Sequence, residues 1–255
     1  MRTWVADLGN STLYVGVFAH GRRVRAFRVP IADALGDGGV ARLVAPRLRG
    51  RFDAAALCSV VPAHTDRVRD LLAAATGCRP AVLTAKNAGL RLGYRRPAEL
   101  GHDRLACALG ARRLYPQRYV VVVDCGTATT VTALTRDGVL AGGAILPGLS
   151  LWPDMLARRT AQLPPIDLGG AWPAALGRST RDGLRAGILL GHAGAIRELT
   201  QRVAREAFGP RARPVVIGTG GHAARFAREK LFTGVEPDLI LTGLSVFAEA
   251  HVRHD

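Results

Sequence analysis

The chain has 255 residues, 48% of them hydrophobic, and 35 Lys and Arg against 20 Asp and Glu give it a net charge of +15. That length allows one large domain or two small ones, and the composition excludes a disordered chain. No apolar run approaches the roughly 18 residues of a membrane span, and the chain opens on a strand pattern without a secretory leader, so a cytoplasmic protein with no membrane partner is expected.

The positive charge raises nucleic acid as a partner. However, the basic residues are dispersed and almost all arginine, with Lys86 and Lys230 the only lysines. The densest groups, Arg47-Leu48-Arg49-Gly50-Arg51 and Arg22-Arg23, are short and lack interleaved aromatics, so no nucleic-acid partner is expected. A field that attracts anionic substrates is the milder consequence. Cys58, Cys78, Cys107 and Cys125 lie far apart with no Cys-x-x-Cys pair, the pattern of buried free thiols and not of a zinc site or disulfide framework.

Residues 3–8, 12–19 and 22–29 read as three strands joined by turns at Gly9-Asn10 and His20-Gly21. Val40 to Leu48 carries a short helical pattern, and Ala54 to Val60 is an apolar strand ended by Pro62. From Ala63 the residues Val68, Leu71, Leu72 and Ala75 recur at helical spacing and stop at Gly77. Ala81 to Leu83 is a short strand, followed by a polar loop from Thr84 to Gly101 that holds Tyr94 and Pro97. A helix runs from Gly101 to Tyr115, with Arg112-Arg113 near its C-terminus as the macrodipole favours. Pro116-Gln117-Arg118 marks the domain boundary, giving halves 1–116 and 117–255.

The second half opens with strands at 119–124, 129–135 and 138–146. After Pro147-Gly148 a helix carries Leu149, Trp152, Met155 and Leu156, and Leu163-Pro164-Pro165 breaks it. Thr180 to about Phe208 is a long helix whose Gly187, Gly191 and Gly194 suggest close backbone packing. Val215 to Ile217 is a buried strand, His222 to Lys230 a helix, and Leu239 to Leu241 with a helix from Leu244 close the fold. Strands followed by helices, in two related halves, argue an α/β architecture.

The strongest signal is a repeat. Trp4-Val5-Ala6-Asp7-Leu8-Gly9-Asn10-Ser11-Thr12 and Val121-Val122-Val123-Asp124-Cys125-Gly126-Thr127-Ala128-Thr129 share one pattern at a constant offset of 117 residues, which persists from Gly21 to Gly138. One such hairpin is a turn capped by an Asp. Two in register suggest a duplicated domain, with an Asp from each half directed into a cleft that grips a nucleotide's phosphates and cation. Gly9 lets backbone N–H groups approach a phosphate, while Asn10, Ser11 and Thr12 add short polar groups. Asp7, at a strand end, could hold magnesium through water.

Two further motifs leave alternatives open. Gly218-Thr219-Gly220-Gly221, between an apolar strand and a helix, is either a tight structural turn or the adenine and ribose end of a nucleotide site. In Gly101-His102-Asp103-Arg104 the Asp occupies a helix's first turn, where the dipole alone favours it. With Gly101 leaving room for a ligand, it can also accept or orient the proton of a hydroxyl that attacks a γ-phosphate. A lone His such as His102 is more often a surface or packing residue, and Cys125 has no evident His partner to make it a nucleophile.

Together these residues resemble the type III pantothenate kinases, members of the duplicated actin-like ATPase and sugar-kinase superfamily. The resemblance covers nearly the whole chain in order. It runs from Asp7-x-Gly9-Asn10-Ser11 through Tyr94-x-x-Pro97-x-x-x-Gly101-x-Asp103-Arg104 to Asp124-x-Gly126-Thr127-Ala128-Thr129. Gly142-Gly143-x-Ile145-x-Pro147-Gly148, Leu163-Pro164, Gly177-x-x-Thr180 and Gly218-Thr219-Gly220-Gly221 complete it. It implies an α/β fold of two ribonuclease-H-like domains with a nucleotide cleft between them, and ATP-dependent phosphorylation of pantothenate to 4′-phosphopantothenate, the first step towards coenzyme A.

The resemblance also implies roles. Asp7, Leu8, Gly9, Asn10, Ser11, Thr12, Leu13 and Tyr14 would form the first phosphate loop, with magnesium at Asp7 through water. Thr127 would contact ATP, and Asp124 would bind a monovalent cation, potassium or ammonium. Asp103 would accept the proton of the pantothenate hydroxyl, and Tyr94, Gly101, His102, Asp103 and Arg104 would line the pantothenate site. Thr180 would reach pantothenate from the other subunit of a homodimer. His102 stands where the family more often has a small residue such as Ala, and Ser11 replaces the commoner Thr. Two other functions remain: an actin-like-fold kinase of another small hydroxylated substrate, because fold never fixes the acceptor, and a non-enzymatic relative that assists transcription. Retention of Asp7, Asp103 and Asp124 argues against the second.

Overall fold

The computed structural model describes residues 1–252; the last three residues of the span 117–255 lie outside them. In chain order the strands and helices begin with β1 (Arg2–Leu8), β2 (Thr12–Ala19), β3 (Arg22–Pro30), α1 (Ile31–Leu35), β4 (Ala54–Ser59) and α2 (Pro62–Thr76). They continue with β5 (Ala81–Val82), β6 (Arg91–Leu92), α3 (His102–Leu114), β7 (Val120–Cys125), β8 (Ala128–Leu134) and β9 (Val139–Pro147). Then come α4 (Leu151–Arg159), α5 (Thr180–Phe208), β10 (Val215–Thr219), α6 (Ala223–Phe226), β11 (Gly234–Val235) and α7 (Leu239–Val252). Among the described residues no helix is long and apolar enough to cross a membrane.

These elements form two compact units. The first comprises 1–117, 138–140 and the described residues from 238 onward; the second comprises 118–137 and 141–237. In the first, five strands lie in the order β3-β2-β1-β4-β5. β1, β2 and β3 form an antiparallel meander, and β4 and β5 join in parallel. The alternation of β1 decides its faces: Trp4, Ala6 and Leu8 enter one core with Leu13, Val15, Val17, Val68 and Leu72. Val5, on the opposite face, lies beside Gly16, where an added Cβ would also meet Leu241 of α7. Asp7 shares the face of Val5, since side chains two apart on a strand point the same way.

On that face α7 packs against α3, β1 and β4. The α3–α7 crossing is close because it is made at glycines. A Cβ on Gly110 would stand 2.4 Å from the Leu239 carbonyl oxygen, and one on Gly243 only 1.7 Å from that of Ala106. Helix α2 starts with Pro62 in its first turn and ends at Gly77 in the left-handed region (φ +67), whose N–H caps the Ala73 carbonyl.

The second unit repeats the plan, with strand order β11-β10-β7-β8-β9. β7 and β8 are antiparallel, and β10 and β11 join in parallel beside β7. Helix α5 packs on β8 and β7, and Leu189, Ala193 and Ile196 from it join Val121, Val123, Val131 and Phe226 in the core. Ser179 caps α5, its Oγ accepting from the Asp182 N–H at 3.1 Å.

Several expectations need amendment. Leu239 to Leu241 is the first turn of α7 and not a separate segment; three apolar residues carry no period of their own. The pattern at 40–48 is a wide turn over Val40–Val44 followed by a tight one over Ala45–Arg47, where Pro46 interrupts a regular ladder. The helix over 222–230 is only α6 and one tight turn, ending where Lys230 takes φ +52. The glycines of α5 do not mark close packing: a Cβ on Gly187, Gly191 or Gly194 would meet nothing within 4 Å among the described residues.

Candidate active site

The two repeated hairpins are alike in sequence but not in pairing. Asp7 faces Tyr14, seven residues on, whereas Asp124 faces Thr130, six residues on. The first turn is closed by the Gly9 N–H on the Thr12 carbonyl (3.0 Å), and the second by the Gly126 N–H on the Ala128 carbonyl (3.1 Å). Asn10 and Ser11 are exposed at the tip of the first. Leu8 and Leu13 are fully buried, so only their backbone is available to a ligand. Tyr14 is buried too; its ring lies under the Arg28 guanidinium (3.5 Å to the centroid) and its hydroxyl donates to Asp238. Burial, then that bond, pushes the Tyr14 hydroxyl up to about 12.

In the first unit Asp7 and Asp103 come together around a thiol. Cys58 of β4 stands beside Asp7 in the parallel ladder. It is fully buried and hydrogen-bonds the Asp7 carboxylate. Burial first, then the charges of Asp7, Asp103 and Cys107, hold that thiol well above its ordinary range, so it stays protonated. Asp103 sits in the first turn of α3, where the Arg104 N–H donates to its Oδ1 at 2.8 Å. Gly101 makes that carboxylate's position possible, because a Cβ there would lie 2.4 Å from Oδ1.

The other residues expected around Asp103 are near it in the same unit. Arg104 is buried, with its guanidinium 5.5 Å from the Tyr94 ring centroid. Burial raises the Tyr94 hydroxyl, partly offset by Arg104. That hydroxyl is buried with no hydrogen-bond partner among the described residues, which is costly unless a ligand supplies one. His102 places Nδ1 3.1 Å from the Ser59 carbonyl oxygen and lines a cavity of about 540 Å³ with Thr84, Lys86 and Pro97.

In the second unit Asp124 lies beside Thr219 of β10. Gly220 (φ +83) follows, and a Cβ on it would stand 2.3 Å from Asp124 Oδ1. The Gly218-Thr219-Gly220-Gly221 turn therefore packs against the second Asp-x-Gly turn, and the His222 N–H donates to the Cys125 carbonyl at 3.0 Å. Gly148 seats itself on the same turn, its N–H donating to the Thr127 carbonyl at 3.1 Å. Thr127 is exposed. Burial, then Asp124, pushes the Cys125 thiol up to about 12, so it is no nucleophile. Thr180 opens α5 on the wall of a largely apolar cavity of about 530 Å³ that Trp152, Leu156 and Leu184 share.

A hard carboxylate oxygen stands at each expected cation position, Asp7 and Asp124. Among the described residues no group of three His, Cys, Asp or Glu side chains could enclose a metal ion. Asp7 offers a carboxylate, and Asp103 shares its Cys58 neighbour; magnesium takes one or two carboxylates when waters and substrate phosphates complete its shell. Around Asp124 the two glycine turns crowd its Oδ1: a Cβ on Gly126 would lie 3.5 Å and one on Gly220 2.3 Å from it, while the Gly126 and Thr127 carbonyls face Gly148.

Sequence reasoning missed two contacts. Thr129 is fully buried with Oγ1 3.0 Å from His192 Nε2, and the His192 ring stacks on Phe226 at 5.3 Å. Burial, then the neighbouring His222, depresses His192 to about 4. The Asp7–Cys58 pair was equally hidden; both depend on partners far away in sequence.

Solved structures place the fold. It resembles a conserved putative Baf family transcriptional activator from Campylobacter jejuni, with a TM-score of 0.65 at 18% identity over 98% of this chain and 99% of that one. It also resembles the ROK hexokinase of Thermus thermophilus, with a TM-score of 0.54 at 18% identity over 99% of this chain and all of that one. The architecture is accordingly the fold seen in actin-like ATPases and sugar kinases, and at such identities the likeness carries the fold alone. Sequence likeness goes further. The profile of the type III pantothenate kinases matches residues 4–202. A type III pantothenate kinase of Legionella pneumophila (strain Corby) is 36% identical over 95% of this chain and 96% of its own. One from Dehalococcoides mccartyi is 32% identical over 93% and 92%. The chain belongs to the type III pantothenate kinase family.

Proposed function

We propose that the protein transfers the γ-phosphoryl group of ATP to the primary hydroxyl of pantothenate, giving 4′-phosphopantothenate and ADP and opening coenzyme A synthesis. The observation that carries this reading is the grouping of Asp7 and Asp103 around Cys58, with Gly101 and the Arg104 N–H setting the Asp103 carboxylate. Asp103 Oδ2 accepts the hydroxyl's hydrogen bond and takes its proton as the new O–P bond forms and the bond to ADP breaks. Backbone N–H groups at the tip of the first turn, at Asn10 and Ser11, neutralise charge on the transferring phosphates. Tyr94, Gly101, His102 and Arg104 orient pantothenate, the buried Tyr94 hydroxyl finding its partner there.

Magnesium held at Asp7 through water would supply charge neutralisation on the phosphates, and a monovalent cation at Asp124 would add to it beside Thr127. We further infer a homodimer in which Thr180 reaches pantothenate bound to the partner subunit. The open glycine face of α5 and the half-exposed Leu151 and Met155 of α4 support it. The test is ADP release with and without pantothenate, in potassium and then in sodium, with the product weighed by mass spectrometry. Pantothenate-dependent release that falls in sodium is expected. Release driven by a sugar and not by pantothenate overturns the substrate, and indifference to the salt overturns the cation.

A further inference from the structure

The first unit carries a concentration of charge that the phosphate-loop reading does not use. A pocket of about 360 Å³ is lined by Arg2, Arg25, Arg47 and Arg49 together with Val17 and Val24. Its arginines converge from three separate stretches: the start of β1, the edge strand β3, and the tight turn at Ala45–Arg47 with the residues after it. Among the described residues none of the four guanidinium groups pairs with a carboxylate. Asp53, the acid beside Arg2, accepts from that residue's main-chain N–H at 2.7 Å.

Two of the four are held in place. The Arg2 guanidinium stands 4.7 Å from the Phe52 ring centroid and donates from Nη2 to the Arg49 carbonyl at 2.9 Å. It lies so close to Gly50 (φ +97) that a Cβ there would be 2.2 Å from Nη1. The Arg47 guanidinium is 5.2 Å from the Phe27 ring centroid and donates to the Leu43 carbonyl. Arg25 and Arg49 are exposed.

Charge on an edge strand ordinarily guards it against pairing with another strand. That duty calls for charges along β3 and does not explain why other segments bring theirs to the same hollow. Four like charges in one concavity repel each other and focus a positive field until a counter-charge enters. Planar guanidinium forks, pre-set by rings and carbonyls, match the oxygens of a phosphate bidentately.

We propose that the Arg2, Arg25, Arg47 and Arg49 pocket binds a multiply charged phosphate-bearing anion. It is distinct from the phosphate loop: Arg2 and Asp7 lie at opposite ends of β1, roughly 17 Å apart at the rise of an extended strand. The anion is either an inorganic polyphosphate or the phosphate arm of a nucleotide, and the site stands whether or not the kinase reading does.

The test is calorimetric titration of the full chain with inorganic tripolyphosphate, in the presence of a saturating non-hydrolysable ATP analogue. The double variant Arg25→Gln/Arg49→Gln is expected to weaken binding at least about tenfold. The double variant Arg211→Gln/Arg213→Gln, which removes the same charge from exposed positions of the second unit, is expected to bind within about twofold of the unaltered chain, because it removes no charge-assisted bond at the pocket. Equal weakening in both, no weakening in the first, or no binding by the unaltered chain overturns the site. A parallel titration with ADP names the source: weakening by Arg25→Gln/Arg49→Gln assigns the nucleotide arm, and unchanged ADP binding assigns the inorganic chain.

Discussion

Asp103 owes its position to the absence of one atom and the presence of another: no Cβ at Gly101, and an N–H on Arg104. Asparagine keeps the acceptor for that N–H but cannot take a proton. Asp103→Asn is therefore expected to lower turnover by at least about 10²-fold, the general-base range, with little change in melting temperature. Near-full activity in that variant would exclude Asp103 as the base. His192 gives a second test at this scale, in stability. Its folded value of about 4 is below its ordinary 6.5, so between those values the unfolded chain holds a proton that the folded one does not. Stability from this group is complete above pH 6.5 and falls as the pH drops towards 4, by about 1.4 kcal/mol per unit. Urea unfolding at pH 7 and pH 5 should show His192→Gln losing less over that interval than the parent; an equal loss would assign the effect to other groups.

At the scale of elements, glycine plays two opposite parts. In α7 Gly243 permits the crossing with α3, and Gly243→Ala forces backbone apart at the Ala106 carbonyl. A loss of about 1–3 kcal/mol is expected, as for an overpacked core. In α5 Gly194 has open space around its missing Cβ within one chain, so Gly194→Ala should stabilise the unpaired chain by about 0.5–1 kcal/mol through helix propensity while weakening pairing through that face. Chemical denaturation of the two variants checks both signs.

The same contrast shows what the sequence made legible. Both hairpins, α2, α3 and α5 were readable because period and punctuation lie within each segment: Pro62 and Gly77 bound α2, and α5 runs from Thr180 to Phe208 as its pattern does. Whether a glycine is crowded or open depends on a partner helix more than a hundred residues away, which no local pattern records. β6 and β11 were missed for the same reason: two-residue strands exist only through their neighbours. At the site, the motif residues were visible, whereas Cys58 under Asp7 and His192 on Thr129 were fixed by register and packing.

For the whole molecule the repeat extends beyond its two hairpins to two strand orders of one plan, β3-β2-β1-β4-β5 and β9-β8-β7-β10-β11. The second unit has an apolar cavity and an open glycine face on α5. These suit a second copy of the chain, and light scattering should give twice the 27.0 kDa of one chain. A monomer at assay concentration would remove Thr180 from the partner's site.

The first unit is not continuous in sequence, since α7 returns to it after the second unit has been completed. A ribosome delivers residues at about 5–20 per second, so the stretch separating α3 from α7 takes roughly ten seconds to emerge. During that interval the sheet that bears Asp7 and Cys58 lacks the helix that covers Val5 and Gly16. The second unit has every strand it needs before then. Synthesis therefore leaves the half that carries Asp103 incomplete, its apolar face uncovered, until α7 emerges.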